Sequence, residues 1–171
     1  MTATTDSAVA VTTPGPPWWF LGVVVEECPT PPGGPVVSVA TLPEGASPPL
    51  HVHADLDDSF YLLEGTMVVR CGDDIALANA GSWVPFPSGV PHLFRVMDGP
   101  ARMLMVHADD SFLAFVHDIG RPATDVDVPD AGDGPSIEEL DRVSTLHGIT
   151  NLGPSMTEEA ARDWLERLSS G

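Results

Sequence analysis

HVHADLDDSFYLLEG, residues 51–65, decides the fold, and GSWVPFPSGVPHLFRV, residues 81–96, completes the pattern. Written as spacings, the first is Gly45-x5-His51-x-His53-x4-Asp58-x6-Gly65 and the second is Gly81-x5-Pro87-x-Gly89-x2-His92. Side chains two apart on a strand project to the same face, so His51 and His53 enter one space. Gly65 and Gly89 sit where the chain must reverse, and Pro87 stiffens the approach to His92. Two β-hairpins would bring His51, His53, Asp58 and His92 to one point. Imidazole with carboxylate is the donor set of first-row transition metals, and open coordination positions are positions for chemistry. The expectation is a metal centre inside a small β-barrel.

Outward from these stretches the chain reads as short strands. β-branched and apolar runs fall at 36–42, 50–53, 59–63, 66–71, 75–78, 82–86, 92–96 and 101–107. Turn chemistry separates many of them, including Glu64-Gly65, Gly72-Asp73, Ala80-Gly81 and Asp98-Gly99-Pro100. Even spacing without helical periodicity predicts an antiparallel sandwich or barrel. Residues 1–17 are rich in Thr, Ala and Pro and are expected to form a flexible tail. Trp18 to Leu21 forms an aromatic anchor, and residues 18–110 make the β-barrel domain.

Residues 111–171 form a helical extension expected to pack on the barrel or on a partner subunit. A short helix is predicted over 111–117, with Asp110 or Ser111 as N-cap and Gly120 as its stop. Residues 121–135 read as a loop. Ser136-x-x-Glu139 and Ser155-x-x-Glu158 are capping boxes that start two more helices. In the last of these Met156, Ala160, Ala161, Trp164, Leu165 and Leu168 make one apolar stripe.

Composition narrows the partners. A net charge of −18 over 171 residues, with no lysine and no arginine before Arg70, excludes nucleic acid. The same lack of early positive charge gives no expectation of a secretory or mitochondrial leader. No apolar run reaches the roughly 20 residues of a membrane helix, so no membrane partner is expected. Cys28 and Cys71 are too few for a disulfide framework and read as thiols in a reducing cytoplasm. The C-terminal stripe and the sheet edges need covering, and a homodimer is the expected assembly.

The two stretches resemble the two motifs of the cupin superfamily, as found in bacterial monocupins. Trp19-Phe20-Leu21-Gly22, Pro100-Ala101-Arg102, His147-Gly148-Ile149 and Leu152-Gly153-Pro154 further resemble quercetin 2,3-dioxygenase-like cupins. The likeness runs from about Trp18 to Pro154. It implies an all-β fold, the cupin double-stranded β-helix or jelly-roll barrel, here with short C-terminal helices. It implies metal ligands at His51, His53 and His92 and a fourth at Asp58, which stands where the family usually has glutamate. Aspartate is one methylene shorter, roughly 1.5 Å of reach. Asp57 is its neighbour, but adjacent strand residues face opposite sides, which favours Asp58. Val96 stands where the second motif often has asparagine and makes the nearby wall more apolar.

The implied cofactor is one divalent transition metal ion per chain, one of Fe, Ni, Co, Mn, Cu or Zn; the donor set does not select among them. Phe60, Phe86, Phe94, Met67, Met103 and Met105 are expected to wall a dry cavity for an uncharged small-molecule substrate. The resemblance implies a dioxygenase acting on an enol- or phenol-type aromatic or polyketide-like molecule with O2. Asp58 would remove the proton of the metal-bound substrate. A non-redox isomerase, cyclase or dehydratase is the alternative, and a non-catalytic small-molecule-binding cupin is the third reading. His107 ends a strand, where it could line the cavity mouth, but it is expected to be simply a partly exposed histidine. His117 and His147 fall in helix C-terminal turns, where positive charge is favourable, and receive no chemistry.

Overall fold

Phe60 and Leu62 are buried while Tyr61 and Leu63 are exposed, the period of two that marks a strand with one wetted face. In the computed structural model, which describes residues 12–124 and 135–169, they belong to one long strand. The elements in chain order are β1 (Pro17–Phe20), β2 (Val23–Cys28), β3 (Val36–Leu42), β4 (Pro49–His53), β5 (Asp58–Cys71), β6 (Asp74–Asn79), β7 (Trp83–Phe86) and β8 (His92–His107). They continue with α1 (Ser111–Ile119), β9 (Arg121–Pro122), α2 (Ile137–Leu146), β10 (Ile149–Ser155) and α3 (Glu158–Ser169). This is the expected all-β jelly-roll class with short helices after it.

β8 is the hub of the sheet. Its C-terminal half lies between β3 and β5, with Ala40 opposite Met103 and Phe60 opposite Met105. Its N-terminal end meets β4 through His51 opposite His92. The sheet runs β10-β4-β8-β3-β2-β1-β9, and β5 also carries β6 and β7. All pairings named here are antiparallel.

Two pairs of expected strands are single strands. The runs at 59–63 and 66–71 join as β5 through register shifts between Leu62 and Met67. Gly65, with φ +89°, makes that bend, and a Cβ there would sit 2.8 Å from the Ala101 Cα. The strand is bent by irregular pairing and not broken by a turn. The runs at 92–96 and 101–107 likewise join as β8, which passes through Gly99-Pro100 without reversing.

The MVV run of β5 has its explanation in two covered faces. Met67 and Val69 pack into the main core, whereas Val68 packs with Leu93 against Met156, which precedes α3, and Ala161 in its first turn. A strand covered on both sides needs no alternation. The apolar stripe of α3 therefore lies on the barrel, except Leu168, which is exposed.

Other expectations are refined. Pro17 is already in β1, and residues 1–11 lie outside the described residues, as do 125–134 of the expected loop. The aromatic anchor is β1, which pairs with both β2 and β9. α1 runs on to Ile119, and its first turn is tied by Asp109, whose Oδ1 accepts from the Ser111 amide at 3.0 Å, while Asp110 makes no side-chain cap. Ser136 caps α2 as expected, accepting from the Glu139 amide at 3.2 Å. Thr157, not Ser155, caps α3, accepting from the Ala160 amide at 3.2 Å. Ser155 is occupied in β10, opposite Pro49. No helix among the described residues is long and apolar enough to cross a membrane.

Candidate metal centre

The β4 edge puts His51 and His53 two residues apart, and β8 brings His92 directly opposite His51. One nitrogen from each of the three rings lies within 4.8 Å of the others. The ring centroids are separated by 5.0, 4.4 and 5.2 Å. One backbone bond and one ring contact hold the cluster: the Gly89 amide donates to the His53 carbonyl at 2.8 Å, and the Phe86 ring stacks on His92 at 4.4 Å.

The hydrogen bonds fix which nitrogens are free. His51 Nδ1 donates to the Pro49 carbonyl at 2.8 Å, and His92 Nδ1 donates to the Val90 carbonyl at 2.9 Å. A carbonyl can only accept, so each Nδ1 carries the hydrogen and each Nε2 keeps a lone pair. His92 Nε2 is buried with no hydrogen-bond partner. Buried polar atoms normally find partners, and a ligand histidine normally donates its other N–H to a carbonyl or carboxylate. His92 fits a metal ligand on both counts, His51 on the second, and His53, whose Nδ1 is buried with no partner, on the first; together the three imidazoles suit a first-row divalent ion.

Electrostatics agree. Burial pushes the pKa of all three rings below the ordinary histidine value, His53 to about 4. Mutual repulsion with His92 adds to the effect at His51, while the Pro49 carbonyl and Asp58 oppose it. Neutral imidazole is the form that binds metal, and this site favours it at neutral pH.

Asp58 is not part of the three-nitrogen group. Its Oδ1 instead accepts from His107 Nε2 at 3.0 Å. Burial alone would raise the Asp58 pKa, but the hydrogen bond and attraction of His107, with smaller attractions to His53 and His92, hold it below the usual carboxylate range. Asp57 faces elsewhere, its Oδ1 accepting from the Ser88 amide at 2.8 Å.

His107 departs from expectation. It is not partly exposed but 1% exposed, because it lies on the inward face of β8 shared with Met105 and Met103. Counting by twos back from the end of that strand reaches this face from sequence alone. His117 packs against Trp18 at 4.4 Å, and His147 donates to Asp118 at 2.8 Å, both away from the cluster.

A cavity of about 330 Å³ opens beside the imidazoles, with His51, His53 and Asp58 in its wall. Phe94, Met103 and Met105 line it as expected. Phe60, Phe86 and Met67 do not; they are buried in the core behind it. Their places are taken by Phe20, Phe112 and Phe115, and by Ser144, Ile149 and Asn151 of the C-terminal extension. Asn151 stands opposite His51, and its Nδ2 donates to Asp141 at 2.7 Å. The pattern 149–155 gave no strand signal, so this wall was not legible.

Residues 38–107 match the family model described as Cupin domain. Among solved structures, the chain is 32% identical to the TT1209 protein of Thermus thermophilus, covering 48% of this chain and 81% of that one, with TM-score 0.42. It is 26% identical to the polyketide cyclase RemF of Streptomyces resistomycificus, over 50% and 64% of the two chains, with TM-score 0.43. It is 15% identical to KdgF of a Halomonas species, over 53% and 83%, with TM-score 0.48. No curated protein matches the chain.

Proposed function

Residues 38–107 being a cupin domain, we propose that the chain is a metal-dependent, quercetinase-like dioxygenase acting on an enol- or phenol-type aromatic or polyketide-like small molecule. One observation carries the reading. Three imidazoles with available lone pairs cluster together, and two of them, His51 and His53, border a largely apolar cavity whose wall holds a single carboxylate among the described residues, that of Asp58.

A divalent ion held by His51, His53 and His92 would supply a Lewis acid for the substrate hydroxyl and open positions for O2. The residues do the rest. Asp58 is kept ionised by His107 and stands ready to accept the hydroxyl proton. Phe94, Met103 and Met105 present an apolar wall to a planar ring and exclude water from it. Cys28 and Cys71 are both free thiols, as a cytoplasmic protein would keep them.

Oxygen uptake tests this reading. Metal-loaded protein incubated with a flavonol or another enol should consume O2 with loss of substrate, and anaerobic controls should not turn over. No oxygen consumption with any enol or phenol tried would remove the dioxygenase.

A second reading has its own support. The clustered donors are three nitrogens without a carboxylate, an arrangement that also serves catalytic Zn2+ with a fourth open position. Asp58 would then move a proton in an isomerisation, cyclisation or dehydration. Full anaerobic turnover by the Zn2+ form would select it. Equal ligand binding by metal-free and metal-loaded protein, without turnover, would leave only a binding module. The proposed assembly is a homodimer, for which light scattering should return twice the 18.0 kDa chain mass.

A further inference from the structure

We infer that His107 is a positioning residue that holds Asp58 off the ion, leaving a centre of three imidazoles with a separate carboxylate to handle a proton. The inference rests on the metal centre proposed above, and it concerns a residue outside the motif histidines.

The geometry begins with register. Phe60 of β5 and Met105 of β8 are directly opposed, so Asp58 and His107, two positions beyond them, face the same interior. His107 Nε2 and Asp58 Oδ1 are 3.0 Å apart, with the His107 side chain wholly buried and that of Asp58 18% exposed. A carboxylate only accepts, so Nε2 carries the hydrogen. A hydrogen bond to a charged acceptor is about twice as strong as a neutral one, and burial strengthens it further.

The ring is not free to release its partner. It stacks on Phe112 at 4.7 Å with an interplanar angle of 21°, and Val36 pairs with its backbone. Its Nδ1 is buried without a partner, so Asp58 is the polar anchor of the ring. Turning His107 away would leave two buried polar groups unsatisfied in place of one. Asp58 meanwhile borders the same cavity as His51 and His53 yet falls outside the 4.8 Å donor group. A longer acid at position 58 could satisfy both partners; aspartate, roughly 1.5 Å shorter, is left with one. That one is His107.

Co2+ titration followed by visible absorption tests this, since band positions and intensities report the ligands present. Asp58→Asn, which keeps size and acceptor, should leave the Co2+ spectrum and affinity as in the wild type. His107→Phe keeps the stacking on Phe112 but removes the donor. The freed carboxylate should then reach the ion, shifting the bands and tightening Co2+ binding by about tenfold, the scale on which outer partners tune metal sites. The double variant His107→Phe/Asp58→Asn should restore the wild-type spectrum. His107→Gln, which offers an amide N–H, should also restore it.

A changed spectrum in Asp58→Asn alone would make the carboxylate a ligand and overturn the inference, whether or not the His107 variants fold. So would a His107→Phe protein with a lower melting temperature and an unmoved spectrum, the mark of a merely structural role. None of these readouts uses turnover, so a failed oxygenase assay leaves them intact. Wild-type protein that binds no Co2+ would instead remove the metal centre itself.

Discussion

Asp58 and His107, 49 residues apart in sequence, meet across β5 and β8 at 3.0 Å, and their contact separates the acid from the three imidazoles. The consequence is a division of labour within one cavity. Nitrogen donors that stay neutral can hold an ion, and a carboxylate that stays charged can take a proton.

The neutral histidines make the metal-free protein acid-sensitive. His53 has a pKa of about 4 in the folded chain against 6.5 as the ordinary value. The unfolded chain therefore binds more protons between these limits, and stability falls as pH drops through that window. A shift of this size corresponds to about 3 kcal/mol. His51 and His92 act in the same direction. Asp58, whose pKa is lowered, loses its contribution only below the usual carboxylate range and does not offset them in this window. Urea melts of metal-free protein at pH 7, 6, 5 and 4 should show a falling midpoint; a flat profile would mean the rings are solvated.

Filling the cavity should separate substrate binding from metal binding. Ala40 is buried opposite Met103, lines the cavity and is not one of the clustered donors. Ala40→Phe should weaken small-molecule binding by tenfold or more, since it occupies volume a ligand needs, while Co2+ affinity stays unchanged. Overpacking has a stability cost of about 1–3 kcal/mol, which the open space should soften. Ligand binding that survives Ala40→Phe would place the substrate elsewhere.

The bend in β5 depends on Gly65. Its φ of +89° is strained for any L side chain, and an added Cβ would collide with backbone at Ala101. Gly65→Ala should lose about 2–4 kcal/mol, read as a lower denaturant midpoint at unchanged slope. An unaffected midpoint would mean the strand can straighten there.

The histidine cluster was legible because its residues sit at fixed short spacings around turn glycines. His51-x-His53 needs only strand periodicity, and His92 follows a Pro-x-Gly turn. What distant strands contribute was not. β10 contains Gly153 and Pro154 and has no alternation, so its place beside β4 depends on an edge that only the folded sheet provides. The cavity wall shifted for a similar reason. Phe60 and Phe86 do point inward, but they fill the core beneath the cavity, and Phe112 and Phe115 from α1 close it. His107 sits at the end of a strand, where exposure is common, but it shares the buried face of Met103 and Met105.

Whether a single ion sits on three ring nitrogens is decided by calorimetric titration of metal-free protein with Co2+ or Zn2+, comparing the wild type with His92→Gln. His92 is 1% exposed, and its Nε2 lacks a partner. One ion per chain is expected in the wild type and at least a hundredfold weaker binding in His92→Gln, with the fold intact by circular dichroism. Wild-type protein that takes up no ion, or a variant that binds it equally well, would contradict that arrangement.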